Sequence, residues 1–261
     1  MLFRSAVANM TTALRNAGED VRIVTRSDIE HKKTGTRLAS FIDKRLFPAI
    51  YWEKMVSAGL RRFTEELYKK NKLDIIQIPE FNAGACEFAG SCLPCVVRFH
   101  TPSFLVDKLN GIRPSFRRKR WYALEGKGIA AASALTASSN AVAREVCSYY
   151  KIRHKKVTVL RNPVDSETFF PRNNDTDTEQ FRILFCGRLE ERKGMGIIEN
   201  IIPKVLQKAD DIEFLFAGDD TGKNGETYQS RIMLATGKHN HNIKFTGAIA
   251  RNALPELYQA A

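Results

Sequence analysis

The feature that most constrains this 261-residue chain is a repeated alternation of short apolar runs with longer amphipathic segments. The apolar runs are rich in Val, Ile and Ala and too short for helices, which is typical of parallel strands buried on both faces. The segments between them carry apolar residues at helical spacing. This alternation predicts a doubly wound α/β sheet. The strands predicted in the first half are 21–25, 74–79, 95–100, 134–137 and 157–162, and the helices include 52–70, 115–132 and 140–150.

The same pattern begins again in the second part of the chain. Pro203 removes a backbone donor inside the first helix predicted there, so we expect a kink or break at that residue. The predicted strands are 182–186, 213–217 and 243–245, and the predicted helices are 194–209, 228–236 and a last one starting at Leu254.

Between the two parts, residues 171–180 are polar and have no apolar period, which indicates a linker. The sequence therefore predicts an N-terminal Rossmann-like domain at 1–170 and a partial C-terminal one at 181–261. Two such domains are expected to face a cleft, because ligands of these sheets bind beyond the carboxyl ends of the strands.

The first residues allow two interpretations. Residues 1–17 carry Arg, Ser, Thr and Ala but no acid, as a transit peptide would. The alternative is a helix of the fold, with Val7, Met10 and Leu14 on one face and Gly18 as its stop. We prefer the helix, because a predicted strand follows it directly.

Composition predicts a soluble cytoplasmic protein. Hydrophobic residues make up 43% of the chain and charged residues 27%, and no apolar run approaches the roughly 20 residues of a membrane helix. The five cysteines are expected to be free thiols in a reducing compartment. Cys92 and Cys95 have CxxC spacing, but no second pair stands at zinc-ligand spacing, so a turn is preferred over a metal or redox site.

The net charge of +12 favours an acidic partner. The densest basic block is Arg117-Arg118-Lys119-Arg120. This block could be a solvated helix face, or it could contact anionic lipid at the inner face of the membrane. The sequence has no recognisable helix-turn-helix, RRM or zinc finger, so no nucleic-acid partner is expected.

The segment with the clearest chemistry runs from Phe185 to Gly194. A strand is predicted to end at Gly187, a short loop carries Arg188 and Lys193, and a helix opens at Gly194. Cations beside a helix N-terminus make a site for a diphosphate, with Arg as a planar fork and Lys as a point charge. Surface loops also commonly carry Arg and Lys, so the residues alone leave both interpretations open.

This segment resembles the Gly-Arg-Leu-x-x-x-Lys-Gly motif of family 4 glycosyltransferases, which have the GT-B fold. Other segments resemble the family's motifs in the same order, and the resemblance covers nearly the whole chain. These segments are Leu135-Thr-Ala-Ser-Ser139, Val157-Thr-Val-Leu-Arg-Asn-Pro-Val-Asp165 with Phe169-Phe-Pro171, Phe214-Leu-Phe-Ala-Gly-Asp219, and Ile243-Lys-Phe-Thr-Gly247 with Leu254-Pro-Glu-Leu-Tyr258.

The resemblance implies catalytic roles for His100, Arg188 and Lys193. Arg188 and Lys193 would hold the donor diphosphate and stabilise the charge that grows on it as the sugar–phosphate bond breaks. His100 matches a family histidine near the transferred sugar, although its position alone fits a structural histidine equally well. The implied donor-binding residues are Gly187, Arg188, Lys193, Gly194, Gly218, Asp219, Gly247, Ala248 and Ile249.

The resemblance also implies a retaining reaction with no metal and no separate cofactor. The donor would be a UDP- or GDP-linked sugar, and the acceptor a saccharide or lipid-linked molecule in polysaccharide or glycolipid biosynthesis. The alternative is a non-catalytic module that binds a nucleotide sugar or phosphate.

Three departures from the family are expected to matter. The chain opens in what should be the first helix, without the family's first strand and Gly-rich loop, and no Glu-x7-Glu motif follows Tyr258. Glu191 and Glu199 have that spacing, but they flank the phosphate loop, so we interpret the match as coincidence. The third departure is the absence of the family's remaining second-domain strands and its closing helix. We therefore expect a fragment, cut at both ends, with little or no activity of its own.

Overall fold

Two α/β units make up the part of the chain that the computed structural model describes, which is residues 2–25, 48–153, 156–171 and 181–261. The first unit extends to Pro163 apart from Leu109–Gly111, and the second contains those three residues and Val164–Ala261. Most of the predicted linker, 172–180, lies outside the described residues.

The first unit is built on a four-stranded parallel sheet. Its strands are β1 (Ile76–Pro79), β2 (Cys95–Phe99), β3 (Ala134–Ala137) and β4 (Val157–Val159), in the order β1-β2-β3-β4. Val97, Phe99 and Leu135 from the two central strands are buried with Ile129 and Val146 from the covering helices. Strands covered on both faces explain why the sequence shows continuous apolar runs and not alternation.

Helices of the first unit connect and cover these strands. They are α1 (Leu2–Asn16), α2 (Pro48–Lys69), α3 (Ser103–Leu109), α4 (Phe116–Ala131) and α5 (Asn140–Tyr150), with a 3-10 segment at Phe81–Phe88. Ser115 and Ser139 cap α4 and α5, because their hydroxyls accept the backbone N–H of Arg118 and Val142. The prediction that residues 1–17 form a helix stopped by Gly18 is confirmed over the described residues, and Gly18 has a φ of 92°.

The second unit contains a three-stranded parallel sheet with the order β5-β6-β7. Its core includes Met195, Ile202, Phe216, Tyr228 and Ile232, which are nearly inaccessible to solvent. The elements are β5 (Phe181–Cys186), α6 (Met195–Leu206), β6 (Ile212–Ala217), α7 (Tyr228–Thr236), β7 (Ile243–Gly247) and α8 (Leu254–Gln259), with 3-10 turns at Glu191–Lys193, Gly237–Asn242 and Arg251–Ala253.

Two predicted strands differ in the structure. Residues 21–25 are not a strand, because the Val21 carbonyl accepts hydrogen bonds from Arg15 Nε and Nη2 at 2.9 and 2.6 Å and no sheet ladder includes it. β4 stops at Val159 although the prediction extended to residue 162, because the Leu160 carbonyl accepts from the Arg98 side chain. In both places a guanidinium occupies a backbone carbonyl of the predicted strand.

The helix predicted at 194–209 also differs. A 3-10 turn at Glu191–Lys193 and a left-handed Gly194, with a φ of 85°, precede α6. A kink or break was expected at Pro203, and the break is wrong, because α6 continues to Leu206 and the Gln207 N–H still donates to the Pro203 carbonyl at 3.1 Å. The kink stays a prediction. Pro203 lacks an N–H and therefore removes one hydrogen bond of the helix, but the Gln207 N–H after it still finds its carbonyl acceptor.

Candidate functional site

Three glycines lie side by side where the strands of the second sheet end. Gly187 follows β5 and donates its N–H to the Ala217 carbonyl at 2.8 Å, while Gly218 follows β6 and donates to the Gly247 carbonyl at 2.8 Å. A Cβ on Gly218 would lie 1.9 Å from the Gly187 carbonyl oxygen, and its φ of 150° is unfavourable for other residues. A Cβ on Gly187 would meet nothing within 4 Å. We call this row, Gly187, Gly218 and Gly247, the glycine edge.

The loop between the glycine edge and α6 concentrates positive charge. Arg188 and Arg192 both reach Glu190, with N···O distances of 3.5 and 2.6 Å. Glu190 is nearly inaccessible, whereas the Arg188 side chain is 55% exposed. One buried carboxylate therefore holds two arginines and leaves the outer one accessible to a ligand.

Lys193 lies in the same cluster. Burial lowers the pKa of its amine, and the nearby positive charges of Arg192 and Arg188 lower it further while Glu190 opposes them. No carboxylate among the described residues is within ion-pair distance of the amine. The charged form of an amine that lies beside other cations and has no acidic partner is stabilised when an anion binds to it.

The backbone fixes this loop against the next one. The Leu189 N–H donates to the Asp219 carbonyl at 2.9 Å, and the Thr221 hydroxyl donates to the Leu189 carbonyl at 2.8 Å. Asp220, which the sequence reasoning passed over, caps α7 by accepting the N–H groups of Tyr228 and Gln229. Asp219 therefore contributes its backbone carbonyl to the loop, and Asp220 holds the following helix.

The structure brings together most of the residues predicted to bind the donor. Gly187, Arg188, Lys193 and Gly194 belong to one continuous loop, and the glycine edge and Asp219 join it through the hydrogen bonds above. Ala248 and Ile249 follow Gly247 directly in an irregular, largely accessible segment. Their role in donor binding, which the family resemblance implies, stays a prediction.

Glu191 and Glu199 have partners in the helix and loop beside them. Glu191 pairs with Lys223 at 3.0 Å and accepts the Tyr228 hydroxyl at 3.0 Å. Glu199 pairs with Arg231. Both carboxylates fasten the 223–231 segment to the start of α6, which gives their seven-residue spacing a structural explanation.

His100 belongs to the first unit, directly after β2. Its backbone N–H donates to Glu80 Oε1 at 2.9 Å, and its ring packs edge-on against Phe81 with ring centres 6.5 Å apart. Burial, and then the positive charge of Arg98, lower the pKa of the imidazole to about 4. The ring is therefore neutral at pH 7 and can exchange hydrogen bonds with an uncharged hydroxyl. Sequence reasoning missed Glu80 and Arg98, although an arginine inside an apolar strand was a visible signal.

The basic block at the start of α4 is not uniform. Arg118 pairs with Asp107, which also accepts the Tyr122 hydroxyl, so this arginine holds α4 to α3. Arg117 and Lys119 are exposed, and Phe116 beside them is 75% exposed. An apolar ring among cations suits the boundary of an anionic lipid surface.

Metal ligands and thiols are the remaining candidate chemical groups of the described ranges. No group of three or more His, Cys, Asp or Glu there could hold a metal ion. All five cysteines are free thiols, with Cys92 exposed and Cys95 buried. Burial raises the pKa of the Cys95 thiol to about 11, which makes it unreactive at neutral pH. None of the described helices has the length and apolar character needed to cross a membrane.

Comparison with family models gives matches over both units. Residues 5–168 match the model "Glycosyltransferase Family 4", and residues 180–261 match "Glycosyl transferases group 1". The phosphatidylinositol N-acetylglucosaminyltransferase GPI3 subunit of Saccharomyces cerevisiae (strain YJM789) is 41% identical over 24% of this chain and 15% of its own length. The D-inositol 3-phosphate glycosyltransferase of Pseudarthrobacter chlorophenolicus is 24% identical over 79% of this chain. The chain spans 54% of that bacterial relative.

Comparison with solved structures bears on the fold. The crystal structure of Anabaena HepE in complex with UDP and glucose is similar over 96% of this chain and 61% of its own, with a TM-score of 0.56 and 17% identity. The predicted GT-B class, with parallel sheets in two Rossmann-like domains, is confirmed by this likeness.

Proposed function

Because this chain belongs to glycosyltransferase family 4, we propose that it forms the nucleotide-sugar core of a retaining glycosyltransferase. The whole protein would move a sugar from a UDP- or GDP-linked donor to a saccharide or lipid-linked acceptor. We place this reaction in polysaccharide or glycolipid assembly in the cytoplasm, at the inner face of the membrane.

One observation carries the donor side of the proposal. Arg188 is accessible and Lys193 has no acidic partner among the described residues, and both lie on the loop between the glycine edge and α6. The N-terminus of α6 adds a partial positive charge to the same place. A diphosphate would satisfy all of these groups, and the side-chain-free backbone of the glycine edge would let it approach closely.

These residues supply a mechanism based on charge. As the bond between sugar and phosphate breaks, negative charge grows on the leaving diphosphate, and preorganised cations stabilise it. Removing one such donor typically costs about 10²–10³ in rate. We propose that Arg188 and Lys193 supply this stabilisation without a metal ion or separate cofactor, and that the departing diphosphate helps to deprotonate the acceptor.

His100 would serve the transferred sugar. An imidazole that is neutral at pH 7 can accept or donate one hydrogen bond to a sugar hydroxyl without adding charge. This suits a group that must bind an uncharged sugar ring.

On the acceptor side we propose a contact with anionic lipid. Phe116, Arg117 and Lys119 form an exposed apolar and basic patch at the start of α4, which we call the α4 patch. The name of the yeast relative, a phosphatidylinositol N-acetylglucosaminyltransferase, supports a lipid acceptor.

Calorimetric titration of the chain with UDP, GDP and the corresponding nucleosides tests the donor site. We expect Arg188→Met and Lys193→Met each to weaken binding of the diphosphates by about tenfold or more, because a charge-assisted hydrogen bond is lost. Binding of the nucleosides should not change. Lys204→Met, which removes an exposed cation at the other end of α6, is the matched control.

The proposal fails if neither diphosphate binds, or if both variants bind them as the wild type does. Diphosphate binding without sugar transfer by the full-length protein would instead support the non-catalytic module.

A further inference from the structure

Two buried ionisable residues, Glu80 and Arg98, lie close to His100 in the first unit. Glu80 follows β1 directly, and Arg98 lies in β2 opposite Pro79. Glu80 has 0% and Arg98 1% of its surface exposed. Charged side chains are almost never buried to this degree unless partners compensate them. The contacts of Glu80 and Arg98 therefore indicate which role these two buried side chains have.

Glu80 is bonded to the backbone that carries His100. Its Oε1 accepts the His100 N–H at 2.9 Å, and its own N–H donates to the Arg98 carbonyl at 3.3 Å. The end of β1 is thus tied to the end of β2 in both directions. Phe81, the next residue, contacts the imidazole edge-on. Glu80 fixes the backbone from which the ring projects, and Phe81 limits where the ring can go.

Arg98 ties the same strand end to a third segment. Its Nη2 donates to the Leu160 carbonyl at 2.8 Å and to Asn162 Oδ1 at 3.0 Å, and both acceptors follow β4. The guanidinium therefore joins the carboxyl ends of β2 and β4, with β3 between them. Its charge also acts on the His100 ring.

The backbone just after Glu80 and Phe81 is strained. Asn82 and Ala83 have φ values of 63° and 56°, in the left-handed region that residues with a Cβ seldom adopt. Such conformations cost on the order of 1–3 kcal/mol each, and they cluster at functional sites where the surroundings enforce them. These two strained residues form the turn directly after Phe81, whose ring contacts that of His100.

Stability alone is a poor explanation for the pair. Among the described residues, Glu80 Oε2 and Arg98 Nη1 are buried without a hydrogen-bond partner, and no ion pair joins the two side chains. Burying ionisable groups without such compensation costs free energy. A geometric role accounts for the contacts better.

We propose that Glu80 and Arg98 are positioning residues for His100. Glu80 holds the backbone of His100, while Arg98, two residues before it, locks β2 to the segment after β4. The inference rests on the proposed function only for the contact between His100 and the transferred sugar.

Two other titratable side chains lie close to the pair. Glu125 accepts hydrogen bonds from Ser103 and, at 3.3 Å, from the Tyr150 hydroxyl. Burial raises the pKa of Glu80 to about 8, and the charge of Glu125 adds to the increase. Protonated Glu80 keeps an oxygen that can accept the His100 N–H, so the positioning persists at neutral pH.

NMR of the whole ¹⁵N-labelled chain tests the role of Arg98. With the His100 signals assigned through His100→Gln, we expect the wild-type ring to titrate near pH 4. Arg98→Met should raise that midpoint, because a neighbouring positive charge disfavours the protonated imidazole and burial alone then remains to lower its pKa. Arg98→Lys keeps the charge and should leave the midpoint close to the wild-type value.

Amide hydrogen exchange tests the role of Glu80. Glu80→Ala should speed exchange of the His100 amide by about tenfold or more, because its acceptor is lost. Glu80→Gln keeps the shape and a carbonyl acceptor, and it should restore slow exchange. Glu213→Gln is the matched control: Glu213 is a buried carboxylate of the second unit, paired with Arg182 and Lys244, and its change should alter neither readout.

These readouts need no donor, so they can succeed or fail independently of diphosphate binding. A midpoint unchanged in Arg98→Met, or equally fast exchange in Glu80→Gln and Glu80→Ala, overturns the inference. In a transferase assay of the full-length protein, Glu80→Ala should lower kcat by about tenfold or more with little change in the donor KM, since misplacing a reacting group lowers the rate. Equal loss in Glu80→Gln would contradict a positioning role.

Discussion

Glu80 should also shape how the stability of the chain depends on pH. Burial raises its pKa from an ordinary 4.5 to about 8. Between these values the folded state keeps a proton that the unfolded chain releases. Stability from this group is therefore complete below pH 4.5 and is lost as the pH rises towards 8, by at most about 1.4 kcal/mol per pH unit.

Glu80→Gln removes this titration, so its free energy of unfolding should fall less between pH 6 and pH 8 than that of the wild type. Urea unfolding at several pH values measures the difference. Glu213→Gln is again a suitable control, because ion pairs with Lys244 and Arg182 help to lower the pKa of that carboxyl, which therefore does not titrate in this range. Parallel curves for wild type and Glu80→Gln would contradict the prediction.

At the same scale, the sequence indicated residues that act within one short segment. Gly187, Arg188 and Lys193 stand within seven positions of one another, so their spacing made a diphosphate site one of two open interpretations, and the family motif favoured it. Glu80 and His100 are twenty positions apart, and only the parallel pairing of β1 with β2 brings them together. A contact made by tertiary structure leaves no local pattern to read.

At the scale of single elements, we predict that α4 contacts anionic lipid through the α4 patch. We expect the chain to bind vesicles containing phosphatidylglycerol more strongly than vesicles of phosphatidylcholine. Replacing Phe116, Arg117 and Lys119 by Ser should weaken that binding, with each cation contributing about 1 kcal/mol near an anionic surface. Vesicle sedimentation at low salt measures the change.

The control for the α4 patch is Lys72→Ser with Lys127→Ser, which removes two exposed charges elsewhere on the first unit. Arg118 is left in place because its pairing with Asp107 holds α4 to α3. If the control and the α4 patch variant lose the same amount of vesicle binding, net charge alone explains the effect and the α4 patch has no specific role.

Strands and helices were predictable where burial dictated them. Ala134–Ala137, Asn140–Tyr150 and Tyr228–Thr236 have the predicted bounds, because apolar runs and a Ser or Thr cap mark them. Residues 21–25 failed because an apolar run becomes a strand only when a neighbouring strand accepts and donates its hydrogen bonds. The sequence does not state which acceptor a side chain such as Arg15 will occupy.

For the molecule as a whole, net charge should govern donor capture. A chain of net charge +12 attracts polyanions over a distance set by ionic strength. Affinity for UDP or GDP should therefore fall as sodium chloride rises from about 50 to 300 mM, since the Debye length shrinks. Affinity for the uncharged nucleoside should stay nearly constant, and calorimetry at several salt concentrations compares the two.

The overall division into two Rossmann-like units was also predictable, since the strand and helix pattern runs twice along the chain. The predicted boundary at residue 170 stays a prediction: the compact first unit ends at Pro163, ahead of the polar segment at 171–180. Composition marks where a chain is irregular, whereas packing decides which unit an irregular segment joins.

The crowding at the glycine edge separates two kinds of selection. In a library that varies every codon, survivors screened only for folding would keep glycine at position 218, where any side chain would collide with the Gly187 carbonyl. Position 187 has room beside it, but its φ of 148° strains any other residue, so a folding screen would disfavour replacements there through the backbone alone. A screen for capture of the nucleotide would add a second pressure for glycine at position 187, and comparing the two screens would map the ligand's footprint without a bound complex.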